Sequence, residues 1–86
     1  MIVWQPPYKT AENSPYTYLA GRTPVGDIVV KCRVYDGATL YWVESPSWMS
    51  EKLKKKMTDL ESMKSWCEET YADVLESAVN LGKTKE

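Results

Sequence analysis

The chain reads as an α+β domain, a three- to four-stranded antiparallel β-meander packed against a C-terminal α-helix in two layers. Three observations point there. Between residues 16 and 44, three runs rich in β-branched and aromatic residues are separated by Gly-containing turn segments. From Leu60 onward, apolar residues recur at three- and four-residue spacing. The length, 86 residues, suits one domain with a thin core.

Residues 1–15 form an extended, Pro-rich segment interrupted by Trp4 and Tyr8, with a short edge strand expected at residues 2–4. Strands are expected at residues 16–22, 27–34 and 38–44. Thr23-Pro24-Val25-Gly26 joins the first two, because Pro presets φ at the start of a turn and Gly accepts φ > 0 at its end. Tyr35-Asp36-Gly37 joins the second pair.

Loop length decides which side chains are buried, since a one-residue slip turns a strand over. A two-residue Asp36-Gly37 loop sets Leu40 and Trp42 across from Arg33 and Lys31. A three-residue loop with a bulge sets Cys32 against Leu40 and Val30 against Trp42. The second gathers Ile28, Val30, Cys32, Val34, Leu40 and Trp42 on one face and is the preferred reading. The same loop type at Gly26 adds Tyr16, Tyr18 and Ala20. The outer face then holds Leu19, Val29, Lys31, Arg33, Tyr41 and Val43.

The helical region spans residues 50–81. Thr58-Asp59-Leu60-Glu61 fits a capping box with Thr58 as N-cap. Leu60, Met63, Cys67, Tyr71, Val74, Leu75, Ala78 and Leu81 make the apolar stripe. Continuity from Ser50 would put Lys56 on that stripe, so a break is expected near Thr58. Gly82 is read as the helix end, opening a charged tail over residues 82–86. The stripe is expected to meet Trp42, Leu40, Val30 and Tyr18.

Composition narrows the function. The aromatic content, 12%, is all Trp (4) and Tyr (6), residues suited equally to small cores and interfaces. A net charge of −1 argues against a strongly basic nucleic-acid binder. Lys52, Lys54, Lys55 and Lys56 precede a helix bearing Glu61, Glu68, Glu69, Asp73 and Glu76, which reads as a solvated face. Two cysteines are too few for a disulfide-stapled secreted domain. No signal-peptide pattern opens the chain, and no run approaches the ~20 apolar residues that span a bilayer. The expected location is cytoplasmic, with no membrane contact.

Histidine is absent, which removes the commonest general base and a common metal ligand. Cys32 falls mid-strand and Cys67 mid-stripe, so both read as buried structural thiols. Gly21, Gly26, Gly37 and Gly82 are scattered over bends, turns and a cap, leaving no phosphate loop. The expectation is no enzyme, no catalytic residue, no metal and no cofactor.

Two surfaces stand out. On the outer sheet face, Lys31 and Arg33 are expected beside Tyr41, cations next to an aromatic ring. Trp66 falls off the helix stripe and Trp48 lies in a loop; each is either covered by the N-terminal segment or offered to a partner.

With Trp4 near the start, Tyr35-Asp36-Gly37, Leu40-Tyr41-Trp42-Val43 and the segment Thr58-Asp59-Leu60-Glu61-Ser62-Met63-Lys64-Ser65-Trp66-Cys67-Glu68, the layout resembles small phage- and prophage-encoded accessory proteins. The resemblance implies an accessory or host-takeover role exercised by binding and blocking a host protein, as anti-CRISPR proteins do. The function expected is therefore a non-enzymatic protein-binding module acting by surface occlusion through Lys31, Arg33, Tyr41, Trp48 and Trp66. The alternatives are a weak single-stranded nucleic-acid binder on the basic-aromatic face and a structural homodimer.

Overall fold

A computed structural model of the chain describes residues 2–24, 26–53 and 56–84, with the backbone alone at Val74 and 77–84. Four strands and two helices follow in order: β1 (Val3–Trp4), β2 (Tyr16–Thr23), β3 (Gly26–Tyr35), β4 (Ala38–Ser45), α1 (Ser47–Ser50) and α2 (Leu60–Thr84). The strands form one sheet in the order β1-β2-β3-β4, every neighbouring pair antiparallel. This is the α+β meander and C-terminal helix that the sequence predicts.

Both turns are shorter than the preferred reading. Tyr35 pairs with Ala38, so Asp36 and Gly37 alone make the loop, with φ of 52° and 81°. Positive φ at both positions defines the type I′ turn, whose twist matches that of the flanking strands. Thr23 pairs with Gly26 to close the first hairpin, and the Thr23 hydroxyl donates to the Gly26 carbonyl at 2.6 Å. Each strand has apolar residues on both faces, so counting them did not identify the register; turn twist did.

The consequence is a change of face for β2 and β4. Leu19 lies opposite Val30, and Val43 opposite Val30 on the other side; all three are buried. Tyr41 pairs with Cys32 and shares the helix-facing side. Tyr16, Tyr18, Ala20, Leu40 and Trp42, expected inside, point to the outer face instead. Val34 keeps the expected face yet is 67% exposed, beyond the part of the sheet that α2 covers. A bulge at Val29/Val30 leaves Glu44 as the extra residue of β4.

The core lies between the sheet and α2. Met63, Cys67 and Tyr71 present one helix face to Leu19, Ile28, Val30, Cys32 and Val43, with Ile2 and Met49 closing the ends. Of the helix contacts expected of the sheet, only Val30 stays; Trp42, Leu40 and Tyr18 face away. The Ile2 amide donates to the Glu68 carboxylate at 3.0 Å and ties the N-terminal segment to the helix. Gly21 lies beneath Ile2 and Trp4, where β1 crosses closest to β2.

α2 starts one residue later than the capping box suggests. Asp59 is the capping residue: its carboxylate accepts the Ser62 amide and the Ser62 hydroxyl, both at 2.8 Å. A carboxylate satisfies a free amide and complements the positive helix end, which a Thr58 hydroxyl does less well. The expected break before the helix is present, since residues 51–53 and 56–59 are not helical. At the other end α2 continues through Gly82 to Thr84. Val25, Lys54, Lys55, the last two tail residues, and the side chains of the stripe positions Val74, Ala78 and Leu81 fall outside the described residues.

Candidate partner-binding face

Alternation along β2, β3 and β4 places Tyr16, Tyr18, Lys31, Arg33, Tyr35, Leu40 and Trp42 on the face turned away from α2. Register then lines them up across the sheet. Tyr8 bridges to Tyr18, Tyr18 pairs with Lys31, and Lys31 pairs with Trp42, giving one continuous row. Tyr16, Arg33 and Leu40 form the next row.

The rings and cations of these rows are in contact. Lys31 Nζ lies 4.0 Å from the Tyr16 ring centroid and 5.9 and 5.8 Å from those of Tyr18 and Trp42. The Arg33 guanidinium lies 5.4 Å from the Tyr16 ring and 5.7 Å from the Tyr35 ring. Lys56 reaches over from the segment bordering β4, 5.1 Å from the Trp42 ring. Tyr8 and Tyr18 stack at 5.6 Å, and Trp42 meets Tyr16 edge-on at 6.0 Å. Cations over ring faces and edge-on rings are both favourable electrostatically, so the face is preorganised.

Charge on the face is unevenly balanced. Lys31 has an ion pair with Glu44 at 3.6 Å. Arg33 has none among the described residues. Its Nη1 donates only to the Tyr16 hydroxyl at a long 3.4 Å, and its Nε–H is buried without an acceptor.

Both edges of the sheet are partly occupied. On the β2 side, β1 is extended by the Gln5 amide, which donates to Ala20, and by the reciprocal Tyr8–Tyr18 pair. On the β4 side, Tyr41 and Met57 exchange backbone hydrogen bonds of 2.7 and 2.9 Å. A partner's strand added along β2 or at Tyr41 of β4 would have to displace these pairs, whereas the outer face carries no such cover.

The five candidate residues do not form one patch. Lys31 and Arg33 are where the sequence put them. Tyr41 is on the helix side, where burial pushes its phenol pKa up, helped by Cys32 and Asp59. Trp66 is half-buried against the core. Trp48, on α1, borders a small cleft with Thr23, Ile28, Pro46 and Tyr71. Sequence reasoning missed Tyr8, Tyr16, Tyr18, Trp42 and Lys56. The two-residue Asp36-Gly37 loop was the available signal, because it sets Trp42 across from Lys31.

On the helix side, the stretch of sheet past the start of α2 forms an open apolar groove of about 470 Å³, floored by Thr17, Cys32, Thr39 and Tyr41 and walled by Pro7, Pro15 and Leu60. Cys32 is buried at its floor, and desolvation raises its pKa against the opposing Thr17 backbone bond. Cys67 is fully buried, its pKa pushed up to about 12 by burial and by the Glu68 charge. Neither thiol is a ready thiolate. Among the described residues no three His, Cys, Asp or Glu side chains are placed to hold a metal ion, and no helix is long and apolar enough to cross a membrane. Comparison of the chain with family models, with curated proteins and with solved structures finds no match.

Proposed function

We propose that this chain is a small non-enzymatic binding module that holds a protein partner against its outer sheet face and acts by covering that partner's surface. In this reading it is a phage-type accessory or inhibitor protein working in the cytoplasm of a host. The observation that carries it is the row Tyr8, Tyr18, Lys31 and Trp42, flanked by Tyr16 and Arg33. Tyr, Trp and Arg are the residues that dominate interface energies, because they combine large apolar area with polar anchoring at small entropic cost. Strands eight residues long, spaced ~4.8 Å, give a face of several hundred Å², roughly one side of a small interface.

A single-stranded nucleic acid suits the face less well. Base stacking needs free ring faces, whereas Lys31 covers Tyr16, and Tyr8 and Tyr18 cover each other. A net charge of −1 also gives a polyanion little long-range attraction.

The test is affinity capture from host lysate with the wild-type chain and a Tyr18→Ala/Trp42→Ala variant. Both residues are half-exposed on the outer face, so the variant retains its fold while the captured protein is lost. A partner captured equally by both forms would refute the outer face as the binding site.

A further inference from the structure

We infer that Arg33 is the anchor of the outer face and that its occupant is a protein segment presenting carboxylates. This rests on the reading of the outer face as the binding face. Three features of the face converge on it.

The first is an unmatched charge. Lys31, Arg33 and Lys56 stand on one face, and among the described residues the ion pair there is that of Lys31 with Glu44. Arg33 is left with a long contact to a neutral hydroxyl and a buried Nε–H that has no acceptor. A guanidinium flanked by low-dielectric rings strongly favours an added anion, and its terminal N–H groups donate to a carboxylate in a two-bonded fork.

The second is preorganisation. The Tyr16 and Tyr35 rings lie 5.4 and 5.7 Å from the guanidinium and bracket it, so binding freezes little side-chain motion. The third is spacing. Lys31 and Arg33 are alternate residues of β3, about 7 Å apart along the strand. An extended segment with alternating acidic side chains has the same repeat, so one carboxylate can meet Arg33 while the next competes with Glu44 for Lys31.

The experiment is an amide-shift titration of the isotope-labelled chain with three probes: a short peptide alternating Glu and Thr, its Gln-Thr counterpart, and a short oligo-deoxythymidine. The Glu-Thr peptide is expected to shift the amides around Tyr16, Lys31, Arg33 and Trp42, with affinity falling as salt rises. The Gln-Thr peptide leaves them unmoved. Arg33→Gln weakens Glu-Thr binding roughly tenfold, the scale of a lost hydrogen bond to a charged group. Arg33→Lys gives an intermediate loss, since it keeps the charge without the fork; a dispersed spectrum verifies that each variant is folded. Equal binding of the Glu-Thr and Gln-Thr peptides, undiminished binding by Arg33→Gln, or tighter binding of the oligonucleotide would overturn the inference. If the peptide fails while capture of a host protein still depends on Tyr18 and Trp42, the carboxylate inference falls and the outer-face reading stands.

Discussion

Replacing Gly21 with Ala tests whether the N-terminal segment is packed as part of the domain. A Cβ at this position would meet Ile2 Cγ2 at 2.5 Å and the Trp4 ring at 2.9 and 3.0 Å. Side chains do not tolerate such approaches, so Ile2 and Trp4 must move. Ile2 has little room to do so, being buried and held by its amide bond to Glu68. Overpacking of this kind costs about 1–3 kcal/mol. Ala in place of Gly in a strand returns about 0.5–1 kcal/mol through backbone entropy. The net expectation is a loss of about 1–2 kcal/mol, or a fall in Tm of about 5–15 °C for a domain of this size. Urea unfolding followed by Trp fluorescence measures it as a lower midpoint at unchanged slope. Adding Ile2→Ala removes the closest clash, so the double variant should lose less than the sum of the two single losses. A Gly21→Ala chain as stable as the wild type, or strict additivity with Ile2→Ala, would mean that residues 2–4 do not press on β2.

Two predictions concern titratable groups. The Asp59 carboxyl is held below the usual carboxylate range by the Ser62 amide and then by the Ser62 hydroxyl, with desolvation opposing. A depressed folded-state pKa stabilises the fold above the unfolded value, about 4, and that contribution disappears as pH falls through the folded-state value. Asp59→Ala should therefore melt below the wild type at neutral pH, with the gap closing in acid; a constant gap across a pH series of melts would contradict the cap. For the cysteines, raised pKa values keep Cys32 and Cys67 as thiols at pH 8. A disulfide reagent at that pH should label neither promptly in the native chain and both in denaturant, and a fast native phase would show that a thiol is accessible and ionised.

The elements were legible in the sequence because local patterns carry them. Runs rich in β-branched and aromatic residues marked β2, β3 and β4, the Pro- and Gly-containing turns marked their ends, and the three-four spacing from Leu60 to Tyr71 marked the covered half of α2. The helix start was displaced to Asp59 because Thr58 and Asp59 are both competent caps, and their order along the chain does not rank them. The candidate site was only half legible. Lys31 and Arg33 fall outside under either loop length, while Tyr41 and Trp42 exchange faces between the two.

What the sequence by itself determined was the α+β composition, the strand order and the outward placement of Lys31 and Arg33, all consequences of contacts between near neighbours in the chain. Only the tertiary structure decided the company those cations keep. The type I′ twist at Asp36-Gly37 turned Trp42 toward Lys31. The pairing of Tyr8 with Tyr18 completed the row. A slip of one residue leaves the hydrophobic count nearly the same but rebuilds the whole face, so pattern alone does not settle the register; backbone twist and cross-strand packing do.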